Sequence, residues 1–438
     1  MGHVTVGVAE VNITPPIGVS LCGFGSRKGP SESVHDELFA RALVIDDGHI
    51  RLVIVTADVI SFAPDLVVRI RALVEKWTQI PGAHVMLNGS HLHSGPNVMT
   101  FRGMGYRDAS YEDMLCRKVA GAVKMAVDAL QPATLFHGRA PVRIGHNRRE
   151  MRQGRMVLGH NPKGAEAPYV DVLRIDGANG LPFGLLFCTA SHPVNLSDLS
   201  FSAEFPGFAV QAIRRQWPQV MPMFAQACCG DINCEPKDGT LDTSERLGAL
   251  LGAAAFTAAI QAKPVLDGAL RVLCRTVDLP QMVPTVADAE KAVTTAQTEW
   301  DQAHHDTKIT PYYFAQRYEG LLGWAKDYLA AAQKGGHPVQ PFDIQIFCVG
   351  DVAFVAYPGE MFVDYQLSLD QQSPFDRTFA LGYTNGCIGY VPTASAYPEG
   401  GYEVDQAFKY YGTLMITSDC ERLIKTATYD MLHTLSHG

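Results

Sequence analysis

Leu52-Val53-Ile54-Val55-Thr56-Ala57-Asp58 is a short apolar run that ends at a carboxylate, and three further runs in the chain have the same form. These runs span residues 84–87, 183–188 and 352–357, and they lead into Ser90-His91, Ser191-His192 and Gly359-Glu360, respectively. Near-continuous apolar runs of this length are typical of strands that are buried on both faces. The pattern predicts a sheet whose central strands end in polar side chains capable of chemistry.

Helical spacing of apolar residues fills segments between these strands, at residues 64–78, 111–130, 205–216, 244–262 and 421–434. Strands that alternate with helices indicate an α/β protein. We therefore predict mixed β-sheets flanked by helices, with a metal site at the strand ends, in a single catalytic domain over residues 1–438. Residues 286–335 predict an inserted helical hairpin, which either borders the site or serves in packing or oligomerisation.

The composition excludes several classes of protein. Of the 438 residues, 47% are hydrophobic and 18% are charged, which is typical of a globular protein with a large core. The formal charge is −9 and the 36 basic residues are scattered, whereas nucleic-acid binding needs a basic stripe. The ten cysteines have no regular spacing, so we expect free and mostly buried thiols, as in a reducing compartment.

The sequence also predicts a cytoplasmic location. The N-terminus has neither the charged nor the apolar segment of a signal peptide. No apolar run approaches the ~20 residues that span a bilayer, and no basic amphipathic segment would hold the chain on a membrane. We expect a small-molecule substrate, no nucleic-acid partner and no stable membrane association, and homo-oligomerisation is left open.

The strongest local motif is His91-Leu92-His93, set between Gly89 and Pro96. Two histidines at positions i and i+2 point the same way if the preceding strand continues through them. Neutral imidazole is a common zinc ligand. The motif therefore predicts either a metal site or two hydrogen-bonded loop histidines.

His192 and Glu360 follow other apolar strands, and this shared placement makes them candidates for the same site. Polar side chains at strand ends tend to converge at one edge of a sheet, where α/β proteins place their ligands. Asp58 and Asp231 also follow strands. Each would either orient a ligand histidine through a hydrogen bond or be an ordinary turn or cap residue.

A series of short motifs runs along most of the chain. They are Val6-Gly7-Val8-Ala9-Glu10-Val11-Asn12-Ile13-Thr14-Pro15-Pro16, Phe39-Ala40-Arg41-Ala42-Leu43, Ser90-His91-Leu92-His93-Ser94-Gly95-Pro96, Asn147-Arg148, Ser191-His192-Pro193, Phe224-Ala225-Gln226, Gly230-Asp231, Pro358-Gly359-Glu360, Gly389-Tyr390-Val391-Pro392-Thr393 and Tyr402-Glu403. In this order they resemble the N-terminal catalytic domain of the neutral/alkaline non-lysosomal ceramidase family. Their co-occurrence is far more specific than any single motif.

The resemblance implies a site as well as a fold. It implies a zinc ion held by four residues: His91, His192, Glu360 and Tyr390. It also implies that His93 lies beside the reacting water and the substrate carbonyl, and that Arg148 and Tyr402 line the pocket and contact the substrate.

Two departures from the family move the expected substrate away from ceramide. The family pattern Gly-Asp-x-Ser-Pro-Asn carries a serine that is important for activity, and Asn233 takes its position here. An asparagine can hydrogen-bond but cannot act as a hydroxyl nucleophile, which favours a water-based mechanism. Full ceramidases also carry a C-terminal immunoglobulin-like domain and act on lipid at membranes, whereas we expect this chain to lack both features.

We therefore expect a zinc-dependent hydrolase of the amidohydrolase type, which cleaves an amide or an ester of a small polar substrate through a metal-activated water. The expected catalytic residues are His93, Arg148, Tyr402 and Asn233. A zinc-dependent lyase or glycoside-cleaving enzyme on a sugar-like substrate is the alternative. A true ceramidase and a non-catalytic zinc protein with a closed site are the remaining alternatives.

Overall fold

The computed structural model describes residues 4–437 of the chain. Its helices are α1 (Pro64–Thr78), α2 (Ala109–Asp128), α3 (Glu204–Gln216), α4 (Leu241–Ile260), α5 (Val286–His304), α6 (Pro311–Tyr313), α7 (Gly320–Lys334), α8 (Val363–Gln372), α9 (Ala396–Glu399) and α10 (Cys420–Ser436). Short 3₁₀ turns span Gly82–His84 and Ala407–Lys409, and π-helical turns span Phe314–Glu319 and Tyr402–Gln406.

The strands follow in chain order. They are β1 (Val4–Asn12), β2 (Ser33–Val34), β3 (Phe39–Asp46), β4 (Arg51–Ala57), β5 (Val85–Gly89), β6 (Gln131–Pro141), β7 (Gly145–Asn147), β8 (Arg149–Arg152), β9 (Arg155–Leu158), β10 (Tyr169–Gly177), β11 (Pro182–Thr189), β12 (Ser200–Phe201), β13 (Met221–Gln226), β14 (Ile232–Cys234), β15 (Lys263–Pro264), β16 (Leu270–Pro280), β17 (Val339–Val349), β18 (Val352–Ala356), β19 (Glu360–Met361), β20 (Arg377–Leu381) and β21 (Tyr390–Val391).

Two mixed sheets organise the molecule. The first has nine strands in the order β13-β11-β10-β6-β1-β3-β4-β5, with β15 paired to β6. The pairs β11–β13 and β4–β5 are parallel, and the other pairs are antiparallel. The second sheet, β16-β17-β18-β20, is antiparallel except for the parallel pair β18–β20. The predicted α/β class with mixed sheets is thus confirmed.

The two sheets pack against each other between layers of helices. In β18, Phe354 belongs to the core shared with the first sheet, whereas Val355 belongs to the core shared with α10. In β11, Leu186 faces the core between the sheets and Phe187 packs with α3 and α4 on the outer face. Side chains alternate between the faces of a strand. Since both faces are buried here, these strands are apolar throughout.

The predicted strands and helices are present, with ends that differ from the prediction by three residues or fewer. The largest difference is at α4, which begins at Leu241 and not at Ser244. The side chain of Thr240 accepts a hydrogen bond from the backbone N–H of Thr243 and so caps the helix earlier.

The segment 286–335 forms the predicted helical hairpin. Its first arm is α5, and its second arm begins at Pro311, a residue type favoured in the first turn of a helix. Gln316 in the second arm donates a 2.8 Å hydrogen bond to the carbonyl of Arg27. Arg27 in turn donates through Nη1 to the carbonyl of His93. The hairpin therefore borders the loop that carries His93, and its status as an insertion in one domain stays a prediction.

All ten cysteines are free and nine of them are buried, as predicted. Among residues 4–437, no helix combines the length and the apolar character that crossing a membrane requires.

Candidate metal centre and active site

His91 follows β5 by two residues and has a left-handed backbone conformation. The strand ends at Gly89, and the φ of His91 is 59°, a region that residues other than glycine rarely adopt. The strand therefore does not continue through the His-x-His motif, which was the condition for the two side chains to point the same way. A turn brings the rings of His91 and His93 to 5.0 Å from each other and stacks His91 on Tyr383 at 3.9 Å. Strain of this kind clusters at functional sites.

Side chains from three strand ends converge beside His91. Glu360 Oε2 lies 3.2 Å from His91 Nε2 and 3.1 Å from His192 Nε2. His93 Nε2 lies 3.3 Å from His91 Nε2. His91, His192 and Glu360 are all buried. The structure thus brings together residues that follow β5, β11 and β18, with Glu360 as the first residue of β19.

Backbone carbonyls fix a proton on Nδ1 of His91 and of His192. The Nδ1 of His91 lies 3.0 Å from the carbonyl oxygen of Ile60, and the Nδ1 of His192 lies 3.0 Å from that of Ile232. An Nδ1–H that donates to a carbonyl leaves the lone pair on Nε2. Both lone pairs then face the Glu360 carboxylate, and this arrangement is repulsive unless a cation lies among the three groups.

The electrostatics of the cluster favour neutral rings at His192 and His93 and an ionised carboxylate at Glu360. Burial, and then the nearby charge of Arg148, lowers the pKa of His192 to about 3. Burial and the neighbouring imidazoles lower the pKa of His93 well below its usual range. Burial alone would raise the pKa of Glu360, but His91 and His192 together hold it well below its usual range. Two neutral imidazoles and one carboxylate are a donor set found in catalytic zinc sites.

Glu360 is held in place from several sides. Tyr411 donates a hydrogen bond to its Oε1, and the hydroxyl of Tyr383 lies 3.3 Å from its Oε2. A Cβ at Gly230 would come within 2.5 Å of the Glu360 carbonyl oxygen, so the backbones approach closely only because residue 230 is glycine. Tyr390 is the ladder partner of Glu360 in the parallel pair β19–β21, which sets these two side chains next to each other.

Arg148 connects Tyr390 to the opposite wall of the site. Its Nη2 donates to Tyr390 Oη at 2.9 Å, and its Nη1 donates to Asn233 Oδ1 at 3.1 Å. Its Nε donates to Glu403 at 2.9 Å, and Glu403 also accepts a 2.7 Å hydrogen bond from Arg149. Burial would lower the pKa of the Arg148 guanidinium, but Tyr390 and Glu403 hold it well above its usual range. The site therefore carries a fixed positive charge.

His93, Asn233 and Tyr402 are partly exposed, unlike the buried groups around Glu360. The ring of Tyr402 lies 5.7 Å from that of Tyr390. The Nδ1 of His93 is buried and has no hydrogen-bond partner within residues 4–437. These three side chains mark the open side of the site. Every residue that the sequence placed in the site thus lies in one contiguous region.

A comparison with known protein families finds a match for the first part of the chain. Residues 4–197 match the sequence model of a family described as neutral/alkaline non-lysosomal ceramidase, N-terminal. The resemblance predicted from the motifs is therefore confirmed.

Individual ceramidases resemble the chain in sequence and in fold. Neutral ceramidase B of Dictyostelium discoideum is 24% identical over 213 residues, which make up 44% of this chain and 29% of that protein. The crystal structure of neutral ceramidase from Pseudomonas aeruginosa has a TM-score of 0.74 at 20% identity, over 99% of this chain and 75% of that one. A ceramidase complexed with C2 has a TM-score of 0.74 at 19% identity, over 100% and 76% of the two chains. The aligned part thus spans less than a third of the curated relative.

The ceramidase-family match contains only part of the predicted site. His91, His93, Arg148 and His192 lie within residues 4–197, whereas Asn233, Glu360, Tyr390 and Tyr402 lie beyond them.

Four residues that position the site were not singled out from the sequence. They are Asn88, Tyr383, Glu403 and Tyr411. Asn88 Oδ1 accepts a 2.8 Å hydrogen bond from the N–H of Gln226, and its Nδ2 donates at 2.9 Å to the carbonyl of Gly382. It thereby ties together the ends of β5, β13 and β20. In the sequence, the one feature that points to Asn88 is the position of its amide directly after an apolar run.

Asp58 and Asp231 do not orient the histidines. Asp58 pairs with Arg41 at 3.2 Å, and Asp231 accepts hydrogen bonds from the N–H of Val363 at 2.8 Å and from Asn147 Nδ2 at 2.9 Å. Among the hydrogen bonds of residues 4–437, neither carboxylate reaches an imidazole of the site. Of the two readings left open for them, the contacts support ordinary structural residues.

Proposed function

We propose that this protein is a zinc-dependent hydrolase that cleaves an amide bond, or an ester, of a small polar substrate. The observation that carries the proposal is the approach of His91 Nε2 and His192 Nε2 to Glu360 Oε2, at 3.2 and 3.1 Å. Buried lone pairs that face a carboxylate need a cation among them. The match of residues 4–197 to the ceramidase family supports amide hydrolysis as the reaction.

His91, His192 and Glu360 would hold the metal, and Tyr390 would complete the set. Tyrosine is an unusual zinc ligand. In its favour, Arg148 donates a 2.9 Å hydrogen bond to Tyr390 Oη, and a neighbouring positive charge stabilises a phenolate. Zinc bound there would polarise a carbonyl and lower the pKa of a water molecule to about 7.

His93 is the residue best placed for proton transfer. Its Nε2 lies 3.3 Å from His91 Nε2, and its ring is neutral because its pKa is held well below the usual range by burial and the neighbouring imidazoles. A neutral imidazole beside the reacting carbonyl accepts a proton from water and returns it to the leaving amine. Arg148 supplies a fixed positive charge that stabilises the oxyanion as it forms.

The open side of the site favours a polar substrate over a long lipid. Partly exposed His93, Asn233 and Tyr402 line it, and all three carry hydrogen-bonding groups. Asn233 accepts from Arg148 through Oδ1, which leaves its Nδ2 to donate to a substrate. The similar solved structures are those of ceramidases, so ceramide is the competing substrate that the test must include.

The test is product analysis by mass spectrometry after incubation with zinc-loaded protein. The substrates are N-acyl amino acids, N-acyl sugars and a short-chain ceramide, and the control is His93→Ala. A new carboxylate with its amine from a polar substrate supports the proposal. Turnover of ceramide alone keeps the reaction and overturns the substrate class. An unsaturated sugar or a released hemiacetal identifies the lyase or glycosidase alternative, and zinc binding without product from any substrate supports the non-catalytic alternative.

A further inference from the structure

Outside the centre around Glu360, a second group of two histidines and one glutamate lies close together. His146 is in β7, His160 follows β9, and Glu235 follows β14 directly. One potential ligand atom from each of these three residues lies within 4.8 Å of the others. We call this group the His146 cluster.

Both imidazoles of the His146 cluster present the same nitrogen to one carboxylate oxygen. Their rings stack with centroids 4.4 Å apart and planes 15° apart. The Nδ1 of His160 lies 3.1 Å from Glu235 Oε2, and the Nδ1 of His146 contacts that same oxygen. Three donor atoms therefore surround one small volume, although the nearly parallel rings do not aim their in-plane lone pairs at a single point.

A backbone contact fixes the proton of His146 away from this volume. Its Nε2 lies 3.1 Å from the carbonyl oxygen of Gly159, which places the ring proton on Nε2 and the lone pair on Nδ1. Metal-ligating histidines commonly donate their other N–H to a backbone carbonyl in this way. The Nδ1 is buried and has no partner in hydrogen-bond geometry among the described residues. A lone pair that faces a carboxylate calls for a cation.

We infer that His146 Nδ1, His160 Nδ1 and the Glu235 carboxylate form a second binding site, for a divalent transition-metal ion of the zinc type. Two imidazoles and one carboxylate suit zinc, cobalt and nickel better than magnesium or calcium, which prefer oxygen donors. A tetrahedral ion with ligand distances of about 2.1 Å separates its ligand atoms by about 3.4 Å. The half-exposed side chains of His160 and Glu235 therefore have to turn and move slightly apart to admit the ion. Since His160 and Glu235 are half-exposed, solvent completes the coordination.

A metal at the His146 cluster would fasten two strands that carry residues of the first site. His146 in β7 precedes Arg148 by two positions, and Glu235 follows Asn233 by two positions, directly after β14, which pairs with β7. The ion would thus fix the positions of the two segments between which Arg148 donates a hydrogen bond to Asn233. This inference does not depend on the proposed hydrolysis, because it concerns different ligands.

The test is a zinc titration of tag-free, metal-stripped protein by calorimetry, with the bound metal counted after dialysis. We expect two equivalents for the unmodified chain, one for His160→Ala and one for His91→Ala. His35→Ala is the matched control, because His35 also pairs with one carboxylate, that of Asp198 at 2.9 Å, and should leave both equivalents. Co²⁺ in place of Zn²⁺ gives a visible spectrum that reports imidazole coordination in each variant.

The outcomes separate this site from the first. Equal metal content in the unmodified chain and His160→Ala overturns the second site. If the chain binds one equivalent that His160→Ala abolishes and His91→Ala retains, the second site stands and the proposed zinc hydrolase fails. His160 is half-exposed, so its replacement should leave folding intact, and an unchanged circular dichroism spectrum checks this.

Discussion

The centre around Glu360 and the His146 cluster each contain histidines that meet a glutamate, in very different surroundings. The side chains of His192 and Glu360 are 0% and 3% exposed, whereas those of His160 and Glu235 are 53% and 46% exposed. In both groups, a backbone carbonyl anchors the far nitrogen of an imidazole. The groups thus share their ligand chemistry and differ in their access to water.

This difference determines how strongly each region depends on a cation. An ionised carboxylate removed from water costs several kcal/mol unless partners compensate it. Apart from the hydroxyls of Tyr383 and Tyr411, Glu360 faces the Nε2 atoms of His91 and His192, so a metal is the natural compensation there. Glu235 is solvated, and its region stays folded with or without an ion. The buried centre around Glu360 therefore requires a metal ion for its structure, whereas the exposed His146 cluster is stable with or without one.

The largest expected effect contrasts His192→Ala with His160→Ala. Each variant removes one imidazole from one of the two groups. We expect His192→Ala to lose the buried metal and all measurable turnover, a loss well beyond the about 10–100-fold that changes around ligands cause. His160→Ala should lose one metal equivalent and keep turnover within about 2-fold, because it removes no residue of the reacting site. Metal counting and turnover on the same preparations check both, and zinc retained in full by His192→Ala would contradict the ligand assignment.

The next effect separates metal binding from proton transfer. We expect His93→Ala to keep its zinc and to lose about 10²–10⁴-fold in kcat, the usual contribution of a general acid–base residue. His84→Ala is the control, because His84 is a partly exposed histidine whose Nδ1 lies 3.1 Å from the carbonyl oxygen of Arg51. Unchanged turnover in His93→Ala would remove the proposed role.

The third prediction compares two glutamates that both bind Arg149, one of them buried and the other exposed. Glu403 is 1% exposed and bonds Arg148 and Arg149, whereas Glu399 is 45% exposed and bonds Arg149 at 3.2 Å. Glu403→Gln leaves two buried guanidinium groups short of a charge partner, so we expect a loss of about 3–5 kcal/mol in the free energy of unfolding. Glu399→Gln should cost less than about 1 kcal/mol. Urea unfolding measures both, and equal losses would refute the contrast.

The ligands of the buried centre were predictable from sequence, because three of the four apolar runs lead into His91, His192 and Glu360, whereas the fourth leads into the structural residue Asp58. A buried strand has to be apolar throughout, so the polar residue that follows it is conspicuous. The wall of the site was less predictable. Arg148 and Tyr402 were assigned from family resemblance, and Glu403, which positions Arg148, was not identified as a positioning residue at all.

The remaining contacts depend on tertiary packing that leaves no local pattern. Tyr383 and Tyr411 reach Glu360 from segments that carry no distinctive motif. The left-handed turn at His91 was likewise not predictable, because histidine is only modestly enriched in that conformation and most histidines have a negative φ. The His146 cluster joins three short strands or loops and so lacks the apolar runs that mark the first centre.

The smallest of the predicted effects concerns a buried carboxylate beside the first centre. Glu204 begins α3 with a φ of 46°, and it accepts hydrogen bonds from Ser94 Oγ and from the N–H of Asn195. Burial raises its pKa from 4.5 to about 7. Between these values the folded state binds more protons than the unfolded state does. The resulting stabilisation is therefore complete below pH 4.5 and is lost as the pH rises through about 7.

Glu204→Gln removes this titration. From pH 4.5 to pH 8, we expect the free energy of unfolding of the unmodified chain to fall by about 3 kcal/mol relative to that of Glu204→Gln. Glu245→Gln, at an exposed position of α4, should run parallel to the unmodified chain across the same range. Urea unfolding at several pH values measures the difference. If the free energy of unfolding has the same pH dependence in Glu204→Gln and in the unmodified chain, water reaches this carboxylate. The low-dielectric region around the first centre would then end before α3.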